Sequence, residues 1–470
     1  LSPAAYLADL LAWLAGRSSS ISGDSALDVL LDRGTLTAPP SVRRPDLAGL
    51  ELSCVNTNTL LPYIDLVNEI LEQVVVGPVP LPTTVTVPQT TQSADELSVT
   101  PEHVNEAAYT TLARASFPLN LPYDLHSSQA SVFLQGMKTS LPALLAAIYP
   151  GDSATAYADP VVVAAELGLS SLAWSILTTA DPTTITPTPI QPWALWGISG
   201  ATLLDPGGSG TMIPWYEALR YVPIFLQQAG IQYTDLLALL ESSFMQGSNL
   251  SLNPPSPCNL DTATIHNLDG AAATRAVRFL RLWRVYGGAL ADLDLLLTAL
   301  NFTDSTPATL TALADIARLK TLLPNLSVAQ LATLWAPIST RIPADGSLSP
   351  YDEFFQNPIV TTPLNPAFAL NPGRTELATP SGAISDSANA ATVLAALHLA
   401  KADLMAMLQP VGPIPDVMML ANLSYLVRIA TLASALHLAI ADFLALSPLI
   451  TVSPFDGAHI ANTISWVQTA

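Results

Sequence analysis

The chain has 470 residues, of which 50% are hydrophobic and only 11% are charged, and its formal net charge is -20. So high a fraction of hydrophobic residues excludes an intrinsically disordered chain. The length predicts two or three lobes or one extended helical assembly. Nucleic-acid binding is disfavoured because no Lys/Arg-rich block is present to neutralise phosphates. The acidity itself is interpreted as a solvated surface.

The first predicted region, residues 1–179, is helical and contains a polar segment that resembles a reactive site. This segment, residues 43–72, reads RRPDLAGLELSCVNTNTLLPYIDLVNEILE. We interpret it as a polar hinge between two helices, with Asn58 or Thr59 as N-cap and Pro62 in the first turn of the second helix. Cys54 has no catalytic sequence cue beside it. The residues assigned to this structural motif are Arg43, Arg44, Pro45, Asp46, Asn56, Asn58 and Pro62.

The helix that ends this segment is predicted to be amphipathic. Its apolar face would consist of Tyr63, Leu66, Val67, Ile70 and Leu71. The acidic and amide side chains Asp65, Asn68, Glu69 and Glu72 would lie largely off that face.

The rest of the chain is divided by composition. A Pro/Thr-rich loop is expected at 77–101, an irregular Pro/Gly-rich insert at 180–214 and a long loop insert at 337–390. Helix-pair regions are expected at 215–336 and 391–470, the latter continuing beyond a chain that begins and ends inside apolar helical patterns. No membrane span is expected, since prolines or charged residues interrupt the apolar runs.

A repeated pattern indicates helix, tight turn, helix. A residue that tolerates positive φ is followed five positions later by an acid or Gln near the third position of the next helix. The acid would face the N-terminal N–H groups and the positive end of the helix dipole. The turn residues are Gly230, Gly287, Asn325, His398 and His437, and their partners are Asp235, Asp292, Gln330, Asp403 and Asp442. The predicted fold is mostly α, with stacked helix pairs forming a solenoid-like shell with inserted loops.

This pattern assigns His398 and His437 to helix ends rather than to a metal or acid–base site. The remaining histidines form no metal-ligand spacing; they are His103, His126, His266 and His459. Cys54 and Cys258 can form no zinc site or disulfide framework, although one disulfide or two free thiols both remain open. We therefore expect no catalytic residue, metal or cofactor.

Four arginines recur every third residue of one predicted helix, TRAVRFLRLWRVY. They are Arg275, Arg278, Arg281 and Arg284. In an acidic protein this row is expected to meet carboxylates of adjoining helices or subunits, and an anionic ligand is the less favoured alternative.

Several segments together resemble the A subunits of Tc toxins, the ABC-type insecticidal toxin complexes, including their Salmonella virulence-plasmid A-protein-like domain. They are SPAAYLADLLAWL, the segment 43–72, HVNEAAYTTLARASFPLNLPYDL, CNLDTATIHNLDG with RFLRLWRVYGG, and LSPYDEFFQNPIV with LNPAFAL. They occur in the family's order over nearly the whole chain.

The resemblance implies a role rather than a reaction. It implies a secreted, non-enzymatic segment of the helical shell that surrounds a translocation channel in a homopentamer. The partners would be other A-subunit protomers, the B–C cocoon of the complete toxin and a host-cell receptor. The alternative is a helical-repeat binding module that recognises a host protein or glycan through the loops at 77–101 and 337–390.

Overall fold

A computed structural model of the chain describes residues 3–18, 23–31, 53, 60–76, 92–149, 156–255, 259–343, 346–380 and 382–470. These residues form two compact units. The first comprises Leu1–Ala115 with Leu121–His126, and the second comprises Ser116–Asn120 with Ser127–Ala470.

The regular secondary structure described in the first unit is helical. Its helices are α1 (Pro3–Ala15), α2 (Ala26–Leu30), α3 (Tyr63–Val76), α4 (Ala94–Val99) and α5 (Glu106–Arg114). Helix α4 begins with a capping box, in which the Ser93 hydroxyl accepts from the Glu96 N–H and the Glu96 carboxylate accepts from the Ser93 N–H. The described end of the expected 77–101 loop is therefore a helix, because its Ser-Ala-Asp-Glu sequence supplies both partners of the box.

The predicted apolar face of α3 is wrong at both of its ends. Tyr63 is 81% exposed and Leu71 is 55% exposed, whereas Asp65 and Glu72 are buried. Glu72 lies inward because its carboxylate accepts the Asn105 N–H at 2.7 Å and the Tyr109 hydroxyl at 2.6 Å. The N–H that Glu72 satisfies belongs to the N-cap of α5, so a polar contact ties α3 to the start of α5.

The second unit is also mostly helical. Its helices are α6 (Leu125–Gly136, whose first two residues belong to the first unit), α7 (Leu141–Ile148), α8 (Pro160–Glu166), α9 (Ser171–Thr178), α10 (Trp215–Ala218), α11 (Val222–Ala229), α12 (Tyr233–Glu241), α13 (Gly270–Tyr286), α14 (Leu290–Ala299), α15 (Pro307–Leu322), α16 (Val328–Thr333), α17 (Pro350–Phe355), α18 (Ser387–Leu397), α19 (Lys401–Met407), α20 (Leu420–Ala435), α21 (Ile440–Leu446) and α22 (Ile460–Thr469). The mostly-α prediction is confirmed.

Strands contribute only two short antiparallel hairpins to the described residues. Strands β1 (Thr202–Leu204) and β2 (Met212–Pro214) form one, and β3 (Ser251–Asn253) and β4 (Thr264–His266) form the other. The predicted irregular insert at 180–214 therefore contains the first hairpin, along with the 3₁₀ turns Pro182–Thr184 and Pro192–Trp196.

Consecutive helices of the second unit meet at sharp angles. The bend is 102° between α8 and α9, 103° between α18 and α19, and 99° between α20 and the helical segment Ile440–Leu449. Each of these pairs therefore forms a corner. No single helix among the described residues is long and apolar enough to cross a membrane, although four bent pairs reach the length and composition of a span when taken together.

The segment 337–390 is not the loop excursion expected from its proline content. It contains α17 and the 3₁₀ turn Pro366–Phe368, and the side chains of Tyr351, Phe355 and Phe368 are fully buried. The rings of Phe355 and Phe368 stack at 5.2 Å, and the Tyr351 hydroxyl donates to the Phe368 carbonyl at 2.8 Å. Three large aromatic side chains bury enough apolar area to hold the segment in the core.

Candidate functional site

The predicted turn residues occupy helix ends in four of five cases. Gly230 and Gly287 end α11 and α13 with φ of 62° and 74°, and His398 ends α18 with φ of 54°. His437 adopts φ of 57° just after α20, and Leu438 N–H closes the turn on the Ala433 carbonyl at 2.9 Å. These two histidines thus have the backbone role that the repeat predicts for them.

The prediction for Asn325 is wrong. Helix α15 ends at Leu322, and Leu323 leaves the helical conformation with φ of -123° because Pro324 follows it. The sequence analysis missed Asn301, which has φ of 59° at the end of α14, where the Phe302 N–H donates to the Leu297 carbonyl at 2.8 Å.

All five predicted partners occupy the third position of their helices. The side chains of Asp235, Gln330 and Asp403 accept the N–H of the N-cap residue three positions earlier, at 3.0, 2.9 and 3.2 Å. Asp292 and Asp442 occupy the same position in α14 and α21. Burial raises the pKa of Asp292, although Lys320 opposes that shift.

The structural motif proposed at 43–62 lies almost wholly outside the described residues. This holds for Arg43, Arg44, Pro45, Asp46, Asn56 and Asn58, and also for Cys54 and Cys258. Pro62 is described and directly precedes α3, one position before the expected first turn. Its carbonyl accepts the Asp65 N–H at 3.1 Å.

The arginine row on α13 contacts backbone carbonyls more than carboxylates. Arg278, which is 4% exposed, donates to the Leu177 carbonyl at 3.0 and 3.1 Å and to the Ser305 carbonyl, and it pairs with the Asp304 carboxylate at 2.9 Å. Arg281 donates to the Ser116 and Leu119 carbonyls. Burial lowers the pKa of Arg281 to about 10, so it stays charged at neutral pH.

The other two arginines of the row are more exposed and also reach carbonyls. Arg284 donates to the Ala229 carbonyl at the end of α11 at 2.7 Å, and Arg275 donates to the Thr303 carbonyl while lying over the Phe244 ring. Helix C-termini carry unpaired carbonyls and partial negative charge, so they attract guanidinium groups as carboxylates do. The expectation that carboxylates would dominate is corrected: Asp304 pairs with Arg278, but carbonyls are the more frequent partners of the row.

A cleft with a volume of about 850 Å³ lies in the second unit. One face of α15 forms much of its wall, together with one face of α22, the start of α7 and the end of α8. Alanines recur in this wall, and its charged side chains are Glu166, Asp315 and Arg318. Its size is that of a ligand site rather than of a packing defect.

Arg318 is the centre of charge in this cleft. It pairs with the Asp315 carboxylate one turn earlier on α15, and its guanidinium lies over the Tyr157 ring, 4.3 Å from the centroid. Glu166, at the end of α8, accepts no hydrogen bond from any residue that the structure describes. Two carboxylates therefore share one guanidinium.

Both carboxylates have raised pKa values. Burial raises the pKa of Asp315 to about 6, with Arg318 opposing the shift and Glu166 adding to it. Burial also raises the pKa of Glu166, and Arg318 again opposes it. Carboxyl groups with raised pKa values in a cleft are found at binding and catalytic sites and also in structural ion pairs.

Metal chemistry has no cluster to support it in the described ranges, where no group of three or more His, Cys, Asp and Glu side chains converges. His459 lies at the edge of the cleft, and its Nδ1 is 2.9 Å from the Asp456 carboxylate. Hydrogen bonds, chiefly from His459 and from the Ala458 N–H, lower the pKa of Asp456. This pair closes a turn before α22.

Sequence reasoning missed the three charged residues of the cleft. The only local signal was Asp315 followed three positions later by Arg318, a spacing at which side chains meet on a helix. Glu166 gave no signal, because its neighbours in the cleft come from distant parts of the chain.

Comparisons with known proteins identify no family for this chain. No family model matches the chain, and no curated protein matches it. The resemblance to Tc toxin A subunits therefore rests on the ordered sequence segments alone.

Proposed function

We propose that this chain is a non-enzymatic structural segment of the helical shell of a Tc-type toxin A subunit. The observation that carries the proposal is that histidine and arginine side chains, which could serve catalysis or ligand binding, stabilise helix ends and neighbouring segments instead. His398 and His437 end helices, and the arginines of α13 bind the carbonyls of neighbouring segments. Side chains committed to holding helix ends together suit a protein whose role is its shape.

Exposed apolar side chains support a place in an assembly. Ile359 is 93% exposed, Val411 79%, Leu449 77%, Ile148 70% and Phe133 60%. Single exposed apolar residues are ordinary, but the helices α6 and α7 have no buried residue at all. Contacts with other protomers, as proposed for a secreted homopentamer that docks a B–C cocoon and a host receptor, would cover such surface.

The test is association of the 470-residue chain with itself or with a complete Tc toxin A subunit. Sedimentation velocity over a hundredfold concentration range and surface plasmon resonance would measure it. We expect association that Phe133→Glu and Ile148→Glu weaken, because a buried charge opposes apolar contact. Gln135→Glu, an exposed change on α6, is the control. A chain that stays monomeric and binds no A subunit would overturn the proposal.

The alternative, a binding module using the inserted loops, is favoured by one observation. Ile359 is almost fully exposed within 337–390, while the aromatic cluster of that segment is buried. Deleting the segment would unfold the core, so Ile359→Asp is the sharper test. Loss of binding to target cells with an unchanged thermal midpoint would support the module; unchanged binding would count against it.

A further inference from the structure

We propose that the cleft on α15 binds a basic helical peptide segment, which presents one lysine or arginine side chain to Glu166. This inference concerns the chain by itself and goes beyond the proposed role in a toxin shell. It stands or falls separately, because its test uses peptides and neither an A subunit nor self-association.

The shape of the cleft suits a helix. The residues of α15 that line it run from Ala308 to Leu322, which at about 1.5 Å per residue is about 21 Å, or four helical turns. Both α8 and α22 contact α15. Small side chains such as Ala312 and Ala461 line the groove, and small side chains let a second backbone approach closely. Grooves between helices bind amphipathic helices through anchors spaced at the helical period.

The charge of the cleft selects a cation. Glu166 and Asp315 are the two carboxylates of the lining, and Arg318 is the one Lys or Arg side chain among the described residues that line the cleft. Arg318 is already paired with Asp315 and covered by Tyr157. Glu166 is left half-buried without a hydrogen-bond donor, so an entering ammonium or guanidinium group would restore the charge balance. An acidic segment would meet two carboxylates instead.

The apolar part of the cleft wall determines which side chains the bound peptide needs besides its basic residue. Phe302, Ile460 and Ile464 line the cleft beside its polar groups. A bound helix would cover these side chains with its own apolar face, while its basic residue reaches across to Glu166. A highly charged polybasic segment would leave them in contact with charge, so the expected partner is amphipathic with a single basic anchor.

The experiment selects ligands without presupposing their sequence. A phage library of randomised 12-residue helical peptides is panned against the intact chain, and the enriched peptides are then measured by fluorescence anisotropy. The groove is blocked by Ala308→Trp. The matched control is Ala317→Trp, since both alanines are exposed on α15 but only Ala308 lines the cleft.

We expect enriched peptides that share one basic residue within an apolar helical pattern. They should bind the Ala317→Trp variant as they bind the unaltered chain and lose binding to Ala308→Trp. Replacing the basic residue by norleucine, or Glu166 by Gln, should each weaken binding about fivefold, as for one partly exposed ion pair. The two changes together should cost little more than either alone, because both remove the same contact.

Three results would overturn the proposal. No peptide is enriched, the enriched peptides lack a basic residue, or they bind the Ala308→Trp variant as tightly as the unaltered chain. Glu376→Gln, a change at an exposed carboxylate away from the cleft, controls for a general effect of net charge. Equal weakening by Glu376→Gln and Glu166→Gln would likewise contradict a specific contact.

Discussion

Arg278 on α13 and Arg318 on α15 are two arginines of the same unit that each bind carbonyls and a carboxylate but differ in how far they are enclosed. Arg278 is enclosed, and its donors reach the Leu177 and Ser305 carbonyls in addition to Asp304. Arg318 borders an open cleft and faces two carboxylates, only one of which it bonds. Both carboxylates beside Arg318 have raised pKa values. The first arginine therefore provides fixed structure, and the second provides a charge balance that a ligand or a proton can change.

The largest expected loss of stability follows from removing the contacts of the enclosed Arg278. Arg278→Met should lower the free energy of unfolding by about 3 kcal/mol, because it leaves buried carbonyls and the Asp304 carboxylate without their donor. Arg284→Met, on the same helix but exposed, should cost about 1 kcal/mol or less. Urea unfolding followed by tryptophan fluorescence measures both. Equal losses would remove the distinction between an enclosed and an exposed arginine.

A smaller effect concerns the titration of Asp315. Its pKa is raised to about 6, so ionisation of Asp315 destabilises the folded chain above that pH, and this cost disappears as the pH falls from about 6 towards 4. Between pH 7 and pH 5, Asp315 should add about 1 kcal/mol to the stability of the unaltered chain. Asp315→Asn should remove that gain.

The measurement is the urea midpoint of both proteins at pH 7 and pH 5. Arg278→Met supplies the comparison, since its loss should be nearly the same at both values. If the difference between Asp315→Asn and the unaltered chain does not depend on pH, the carboxylate does not titrate in this range.

The smallest expected change in stability concerns Glu166 in the cleft. Glu166→Gln should stabilise the chain at pH 7 by at most about 0.5 kcal/mol, because it removes a half-buried charge that has no hydrogen-bond donor. The gain should decline as the pH falls, since the raised pKa lets Glu166 bind a proton first. A variant that is more stable but binds peptide more weakly is typical of a residue kept for binding. A clear loss of stability would assign Glu166 a structural contact instead.

The helix turns show which local structures can be predicted from the sequence. Gly230, Gly287, His398 and His437 adopt positive φ where the repeat predicts it, because helix ends are decided by a few adjacent residues. Asn325 fails for an equally local reason, the proline immediately before it. The extended preference of a residue before proline makes this helix end predictable from the sequence.

The orientation of α3 and the composition of the cleft could not be predicted from the sequence in the same way. The periodicity of α3 assigns Tyr63 and Leu71 to the buried side, yet the structure buries Glu72 because Asn105 and Tyr109 supply its donors. The cleft likewise joins Glu166, Asp315 and Ile460 from separate helices. Hydropathy reports the average preference of a side chain, whereas burial of a carboxylate depends on donors contributed from elsewhere in the fold.

The sequence by itself determined the mostly helical class, the positions of four turns, and the acids and Gln330 at the third positions of their helices. Each of these depends on backbone conformation and on hydrogen bonds within about five residues. Only the tertiary structure decided which arginines bind carbonyls, which carboxylates are buried and where a cleft remains open. Those outcomes depend on the desolvation and pairing of groups that are distant in the chain, and their free energies exist only once the helices have packed.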